Sequence, residues 1–270
     1  MDKVLNLYKK CGETPLECIL RFKKDNPEYE EVKMTYAGRL DPLAEGVLLV
    51  LAGDAVHKKD EFLNLDKEYE VDVLFGVSTD TYDVLGLVDY ECLSSLRMRG
   101  PMDSRLHGND NADEESLKSF LGKNVFEYPL YSSKTVNGKP LFSIARQGGL
   151  DDIEIPEREM EIHDLQFLGW KDINSKDLLK NIEKKISEVR GDFRQEEILE
   201  KWREFLHANN FNFKIAKIKA EVSSGTYMRT LAHEWGKALG VPALAFHIVR
   251  TRVGEFGMKS ERKDGVSEGK

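Results

Sequence analysis

Between Lys67 and Phe75 charged and apolar residues alternate, and this period of two constrains the fold more than any other feature of the chain. Such a pattern is that of a strand with one face on a core and the other in water. Gly76 ends it, and Ile215 to Val222 repeats it with lysines at the polar places. Val4 to Tyr8 reads as a further short strand, and Tyr131 to Val136 as extended chain running into a tight Asn137-Gly138 hairpin turn. Helical periods supply the cover. Thr14-Pro15-Leu16-Glu17 is a capping box with proline in the first turn, predicting a helix with Leu16, Ile19, Leu20 and Phe22 on its apolar face. Residues 176–190 and 195–207 place Leu178, Ile182 and Ile186, then Ile198, Trp202 and Phe205, on single faces, as in a helical hairpin on the domain surface. Helices are also expected near Glu114 to Leu121 and from Arg229 to Leu239, the latter stopped by Gly240. The predicted class is α+β, one domain of mixed helix and antiparallel strand.

Composition narrows the setting. With 40% apolar residues among 270, the chain is rich enough to bury a core. Its most apolar stretches, Val47 to Gly53 and Ala238 to Phe246, fall short of the roughly 18 to 20 residues of a membrane span. The start carries no apolar leader core. Cys11, Cys18 and Cys92 are odd in number and unpaired by spacing, which predicts a reducing cytoplasm, no disulfide frame and no metal site. The formal net charge of −8 argues against nucleic acid, yet it is unevenly spread. Residues 149–213 hold sixteen acids and ten bases, whereas 214–254 hold seven bases and two acids. Local field governs steering, so an RNA-binding face remains open in that segment.

Three segments carry candidate chemistry. Gly38 to Gly46, centred on Asp41-Pro42, is either loop punctuation or a rigidly held carboxylate for nucleophilic or acid–base work. Gly76 to Gly86, with Thr79, Asp80, Thr81 and Asp83, is either a self-capped solvated turn or a cation chelate lacking the ligand run of a calcium loop. Ser223 to Ala232 puts small residues at a strand-to-helix junction suited to an anion, and its Arg229 is either a surface arginine or a buried partner for a carboxylate. Tyr131 to Lys139 and Ile248 to Phe256 mix basic and apolar side chains, as strand edges or as a grip on looped RNA.

Taken in order, these segments resemble the tRNA pseudouridine synthase B (TruB) family, which isomerises uridine 55 of the tRNA T loop. GRLDPLAEGVLLV is similar to the family's aspartate motif, KEYEVDVLFGVSTDTYDVLG to its tyrosine motif, and YSSKTVNGKPLFSIARQG to its RNA-contacting segment. VSSGTYMRTLAHEWGKALG and IVRTRVGEF resemble the arginine motif and the closing strand. The resemblance covers residues 3–256 apart from insertions at 91–115 and 171–213. It implies one catalytic domain over 1–256 built on a central mixed, mainly antiparallel sheet flanked by helices, a polar tail over 257–270 and no room for the family's C-terminal RNA-binding domain.

It further implies Asp41, Tyr69 and Arg229 as catalytic residues. Tyr36, Asp83, Lys134, Asn137, Gly138, Arg146, Ile248 and Arg250 follow as substrate-binding residues, with Lys139 and Arg252 as further phosphate contacts. An arginine beside Asp41 would stabilise its ionised form. Tyr69 would stack on the everted uracil, and Ile248 would close the pocket beneath it. No cofactor, metal or obligatory protein partner is implied, and a monomer acting on the tRNA T-arm is expected. Three positions depart from the family pattern. Tyr36 stands where a histidine is usual, Lys-Pro-x-Gly is read here as a shortened Lys10-Cys11-Gly12, and Phe126 and a single Pro129 replace a Gln and two prolines. A scaffold retained only for RNA binding, a guide-RNA-dependent synthase and a two-carboxylate hydrolase are the competing readings.

Overall fold

The alternating strand lies inside a nine-stranded sheet. The computed structural model describes residues 3–90, 110–150, 152–209 and 212–258, so the insertion expected at 91–115 lies outside it up to residue 109, as does the tail from 259. In chain order the strands are β1 (Lys3–Lys9), β2 (Met34–Ala37), β3 (Glu45–Ala52), β4 (Lys67–Phe75) and β5 (Gly122–Glu127). A two-residue hairpin, β6 (Thr135–Val136) and β7 (Lys139–Pro140), precedes β8 (Glu157–Asn174), β9 (Asn212–Val222), β10 (Ala243–Val253) and β11 (Phe256–Gly257). The helices are α1 (Pro15–Asp25), α2 (Lys59–Leu63), α3 (Asp110–Lys118), α4 (Leu141–Arg146), α5 (Ser175–Glu188), α6 (Gln195–Ala208) and α7 (Met228–Ala238).

The sheet runs β1-β3-β10-β4-β9-β8-β5, with β2 also on β3 and β11 on β10. Among the described strand pairs only β3 and β10 run parallel, which makes the sheet mixed and mainly antiparallel as expected. On one face Tyr69, Val71 and Val73 of β4 meet Ile248 of β10, Ile218 and Ala220 of β9, and the apolar side of α7 with Leu231 and Trp235. Burying each such side chain stabilises by about 1.5–3 kcal/mol. The opposite side of β4 shows why its alternating residues are charged. Glu70 meets Lys217 at 2.6 Å and Glu68 meets Lys219 at 3.1 Å, both diagonal neighbours on β9.

Further along that face, α5 and α6 pack as the expected hairpin, but they do more than decorate the surface. Ile182, Ile186, Ile198, Trp202 and Phe205 form a second core with Leu74, Ile215, Leu244 and Phe246 of the sheet. Trp202 is fully buried, and its indole donates to Val84 O at 3.1 Å.

Thr14 caps α1 as predicted, with its hydroxyl accepting from Glu17 N–H and the Glu17 carboxylate accepting from Thr14 N–H. Of the apolar face expected for α1, Ile19 is buried and Phe22 packs on the same core, whereas Leu16 and Leu20 are 59% and 55% exposed and Cys18 is buried instead. Helical spacing allows both stripes, and Tyr29, Leu48 and Val50 beneath the helix select the one carrying Cys18. The Asn137-Gly138 turn forms as read, with positive φ of 50° and 80° at the two positions, the combination a two-residue hairpin demands.

Candidate active site

Asp41 sits in the loop between β2 and β3, and two buried cations fix that loop from below. Lys9 donates its ammonium to Pro42 O at 3.1 Å and Ala44 O at 2.5 Å. Arg250 donates to Val47 O at 2.7 Å, Gly38 O at 3.2 Å and Arg39 O at 3.4 Å. A cation satisfied by carbonyls at both ends of a loop holds its backbone where neutral donors would grip less firmly. Burial pushes the Lys9 amine down to about 8. Gly46 makes the arrangement possible, since a Cβ there would lie 2.2 Å from Arg250 O, where the parallel strands β3 and β10 converge. The lysine of this segment is thus Lys9, and Lys9-Lys10-Cys11-Gly12 keeps the full Lys-x-x-Gly spacing with Lys10 in the proline's place. The reading of a shortened Lys10-Cys11-Gly12 is corrected accordingly.

From the other side, α7 brings Arg229 to the same carboxylate. Its Nε donates to Asp41 Oδ2 at 2.8 Å and its Nη2 to Asp41 Oδ1 at 3.2 Å, a two-pronged contact. Arg229 is 3% exposed and the Asp41 side chain 30%, so the cation is hidden and the carboxylate faces outward. Nη1 donates to Thr81 O at 2.7 Å and Nη2 to Tyr131 O at 3.4 Å, which orients the fork. Burial opposes the guanidinium charge, but Asp41 and Asp83 outweigh it and raise its affinity for the proton.

Asp83 lies behind Arg229, its Oδ2 3.7 Å from Nε. Its Oδ1 accepts from Thr81 Oγ1 at 2.7 Å and Leu85 N at 2.9 Å. Burial pushes its carboxyl up to about 6 despite Arg229 nearby. The turn that carries it is correspondingly not solvated: Ser78, Thr79, Thr81 and Asp83 are all buried. Among the described residues no group of three or more His, Cys, Asp or Glu side chains converges as metal ligands would.

Above Asp41 opens a cavity of about 380 Å³, within the range of small-ligand pockets. Tyr69 of β4 and Ile248 of β10 form its sheet side, where the register places Tyr69 opposite Arg250 and Ile248 opposite Val71. Tyr36, Tyr227 and Ser132 complete much of the wall. A carboxylate beside an aromatic ring and an aliphatic side chain suits a flat, neutral ring with a reactive edge. Arg39, at the mouth, bridges Tyr36 OH and Ser133 Oγ.

The structure sorts the predicted residues. Tyr36, Asp41, Tyr69, Ile248 and Arg250 line this cavity, while Arg229 and Asp83 line an adjoining one that shares Asp41 with it. Arg229 therefore supports the pocket from behind Asp41 and does not wall it with Tyr69. Arg250 is 1% exposed and spends its donors on loop carbonyls, so its expected role as an open phosphate grip is corrected. Lys134 lies over the Tyr128 ring, 5.0 Å from its centroid, Asn137 and Gly138 are exposed at the β6–β7 tip, and Arg146 donates to Asp192 O at 2.7 Å.

The basic run 214–254 does not form a free cationic face. Lys214, Lys217, Lys219, Lys237 and Arg252 pair with Asp172, Glu70, Glu68, Glu234 and Glu221, and Arg229 and Arg250 are buried. Sequence reading missed Lys67, Tyr227 and Ser132 as lining residues. Lys67 is buried and pushed down to about 8 by desolvation, with Arg250 adding to the effect. Tyr227 was within view, two residues before Arg229, and its ring lies 5.9 Å from that guanidinium.

Comparison with known proteins gives the family. Residues 26–187 match the profile described as "TruB family pseudouridylate synthase (N terminal domain)". The chain is 30% identical over 261 residues to tRNA pseudouridine synthase B of Oceanobacillus iheyensis, covering 96% of this chain and 68% of that protein. It is 32% identical over 256 residues to the protein of the same name from Staphylococcus aureus, covering 95% and 68%. Among solved structures, a Cbf5-Nop10-Gar1 complex shares the fold at a TM-score of 0.52 and 20% identity over 96% of this chain, which spans half of that one. An H/ACA RNP bound to a substrate RNA containing 2'-deoxyuridine does so at 0.51 and 19%, covering 96% of this chain and 49% of that one. With the profile spanning more than half of its length and relatives at this identity along nearly all of it, the chain belongs to the TruB family of pseudouridylate synthases.

Proposed function

We propose that this protein isomerises uridine 55 in the T loop of tRNA to pseudouridine, with Asp41 as the nucleophile. Family membership and the name shared by its relatives support the reaction class. The observation that carries the assignment of residues is the Asp41 carboxylate, held through both oxygens by Arg229 and opening on a cavity bounded by Tyr69 and Ile248.

The reaction breaks the N1–C1′ bond, turns the uracil and joins C5 to C1′; the C5 proton leaves to solvent and N1 takes one up, so the product is an isomer. It needs no net oxidation. Asp41 attacks the everted nucleotide and is expelled again as a free carboxylate once C5 is joined to C1′, Tyr69 stacks on the base and assists proton removal, and Ile248 limits its travel while it is detached. Eversion costs a few kcal/mol, which contacts to the flanking RNA must offset. Lys134, Lys139 and Arg146, with the Asn137-Gly138 tip between them, supply those contacts from the segment beside the cavity mouth. Tyr36 and Arg39, joined to that segment through Ser133, meet the T loop at the mouth. The reading takes the chain to act alone, without a cofactor or guide RNA.

The test is release of tritium from tRNA transcript labelled at uridine C5, using purified protein alone, followed by mapping of the modified position. Release with pseudouridine at position 55 is expected. Absence of release, or modification elsewhere, overturns the assignment. Release only on adding a guide RNA would place the protein in a different functional class.

A further inference from the structure

Arg194 opens α6 with its backbone at φ 63°, a left-handed conformation that is strained for a residue with a side chain and persists only where the surroundings hold it. Its side chain is held twice. Nη1 donates to Asp80 Oδ2 at 2.9 Å, and the guanidinium lies over the Tyr131 ring, 4.5 Å from its centroid. Burial, with the Asp80 carboxylate nearby, pushes the Tyr131 hydroxyl up. Asp80 Oδ1 accepts from Leu87 N at 2.8 Å, closing the loop that carries Thr81. Three segments distant in sequence therefore meet at one triangle, Arg194, Asp80 and Tyr131. Immediately beyond it stand Thr81 O and Tyr131 O, the two carbonyls that orient Arg229. Arg229 turns the same planar fork to Asp41.

We infer that Arg194 is a positioning residue for Asp41, through which the α5–α6 hairpin sets the angle of the catalytic carboxylate. It touches neither Asp41 nor the cavity above it, though it lines the adjoining cavity together with Asp41 and Arg229; its effect on the carboxylate runs through two backbone carbonyls and one guanidinium. A planar cation suits the place, since it must satisfy a carboxylate at its edge and an aromatic ring at its face together. Loss of the triangle frees Thr81 O and Tyr131 O to shift, and small misplacements of a reacting group lower turnover by up to about 100-fold. The inference deepens the proposed function and rests on it.

The experiment measures steady-state pseudouridine formation on tRNA by the full chain. Wild-type turnover is established first, so that its absence counts against the proposed function and not against this inference. Arg194→Ala is expected to lower kcat about 10-fold with KM changed less than 3-fold, and Arg194→Lys to recover part of the loss. Arg203→Ala, which breaks an ion pair with Glu183 on the outer side of the same hairpin, serves as control and keeps wild-type kcat. Asp80→Asn combined with Arg194→Ala is expected to lose no more than the worse single variant. Wild-type kcat in Arg194→Ala, a loss confined to KM, an equal loss in Arg203→Ala, or additive losses in the double variant each overturn the inference. Should Arg194→Ala fail to fold, Arg194→Lys is compared with wild type and Arg203→Ala on the same criteria.

Discussion

Arg229 and Asp41 are separated by 188 positions in the chain and by 2.8 Å between Nε and Oδ2 in space. The arginine is closed off from water while the carboxylate it holds is open to the cavity. This asymmetry keeps the negative charge fixed at the cavity wall without solvating it away. Asp41→Asn preserves size and can still accept one hydrogen bond from Arg229, but it removes the carboxylate proposed to attack. Turnover should fall by at least ~10³-fold while tRNA binding stays within about 3-fold. Tritium release and filter binding on the same preparation separate the two, and a variant that turns over at the wild-type rate would show that another group attacks.

Replacing the arginine tests a different link. Arg229→Lys keeps the charge and loses the fork that joins Asp41, Thr81 O and Tyr131 O. Its kcat should fall about 100-fold. Arg229→Met leaves Asp83 buried with no cation beside it, and breaking such a pair costs about 3–5 kcal/mol. Urea unfolding at neutral pH measures the loss; a Met variant as stable as wild type would mean that the buried pair contributes nothing.

Much of this was legible in the residues, and the failures share a cause. The span Lys67–Phe75 and the Asn137-Gly138 turn were readable because each depends on neighbours in sequence. The Thr14 cap belongs with them for the same reason. Asp41, Tyr69 and Arg229 were readable as a set only through the order of motifs, since no local rule joins positions so far apart. What escaped were directions in space. Arg250 and Lys217 look alike as basic residues in alternating strands, yet one points into the loop under Asp41 and the other to Glu70 on the outer face. Leu16 and Cys18 share a helix, and only the sheet beneath decides which is buried. The surplus of bases over 214–254 vanished because the acids pairing with them lie mostly on other strands.

Asp83 gives the stability a signature in pH. Its carboxyl is pushed up from 3.8 to about 6 by burial, so between those values the folded state holds more proton there than the unfolded state. This group therefore adds stability as pH falls through 6 and removes it as pH rises. The difference in unfolding free energy between wild type and Asp83→Asn should shift toward wild type by about 1 kcal/mol from pH 7 to pH 5. Denaturant titrations at the two values measure it, and a difference constant across that window would place the Asp83 carboxyl in its ordinary range.

Arg250 separates structural cations from those proposed to meet RNA. Its three carbonyl partners lie in or beside the Asp41 loop, and removing the donors leaves buried acceptors that each cost about 1–3 kcal/mol. Arg250→Lys fills part of the space and offers fewer donors in a different geometry, so it should lower the unfolding free energy by about 2 kcal/mol. The dependence of tRNA affinity on salt should stay the same, because a cation already enclosed by the protein releases no counterion from a phosphate. Lys139→Ala, at the exposed hairpin edge, should do the reverse: stability unchanged, and the slope of log affinity against log salt shallower by about 0.7–0.9. If Arg250→Lys alters that slope and Lys139→Ala leaves it alone, the RNA approaches through the loop beneath Asp41, and the enclosed guanidinium must open outward to receive it.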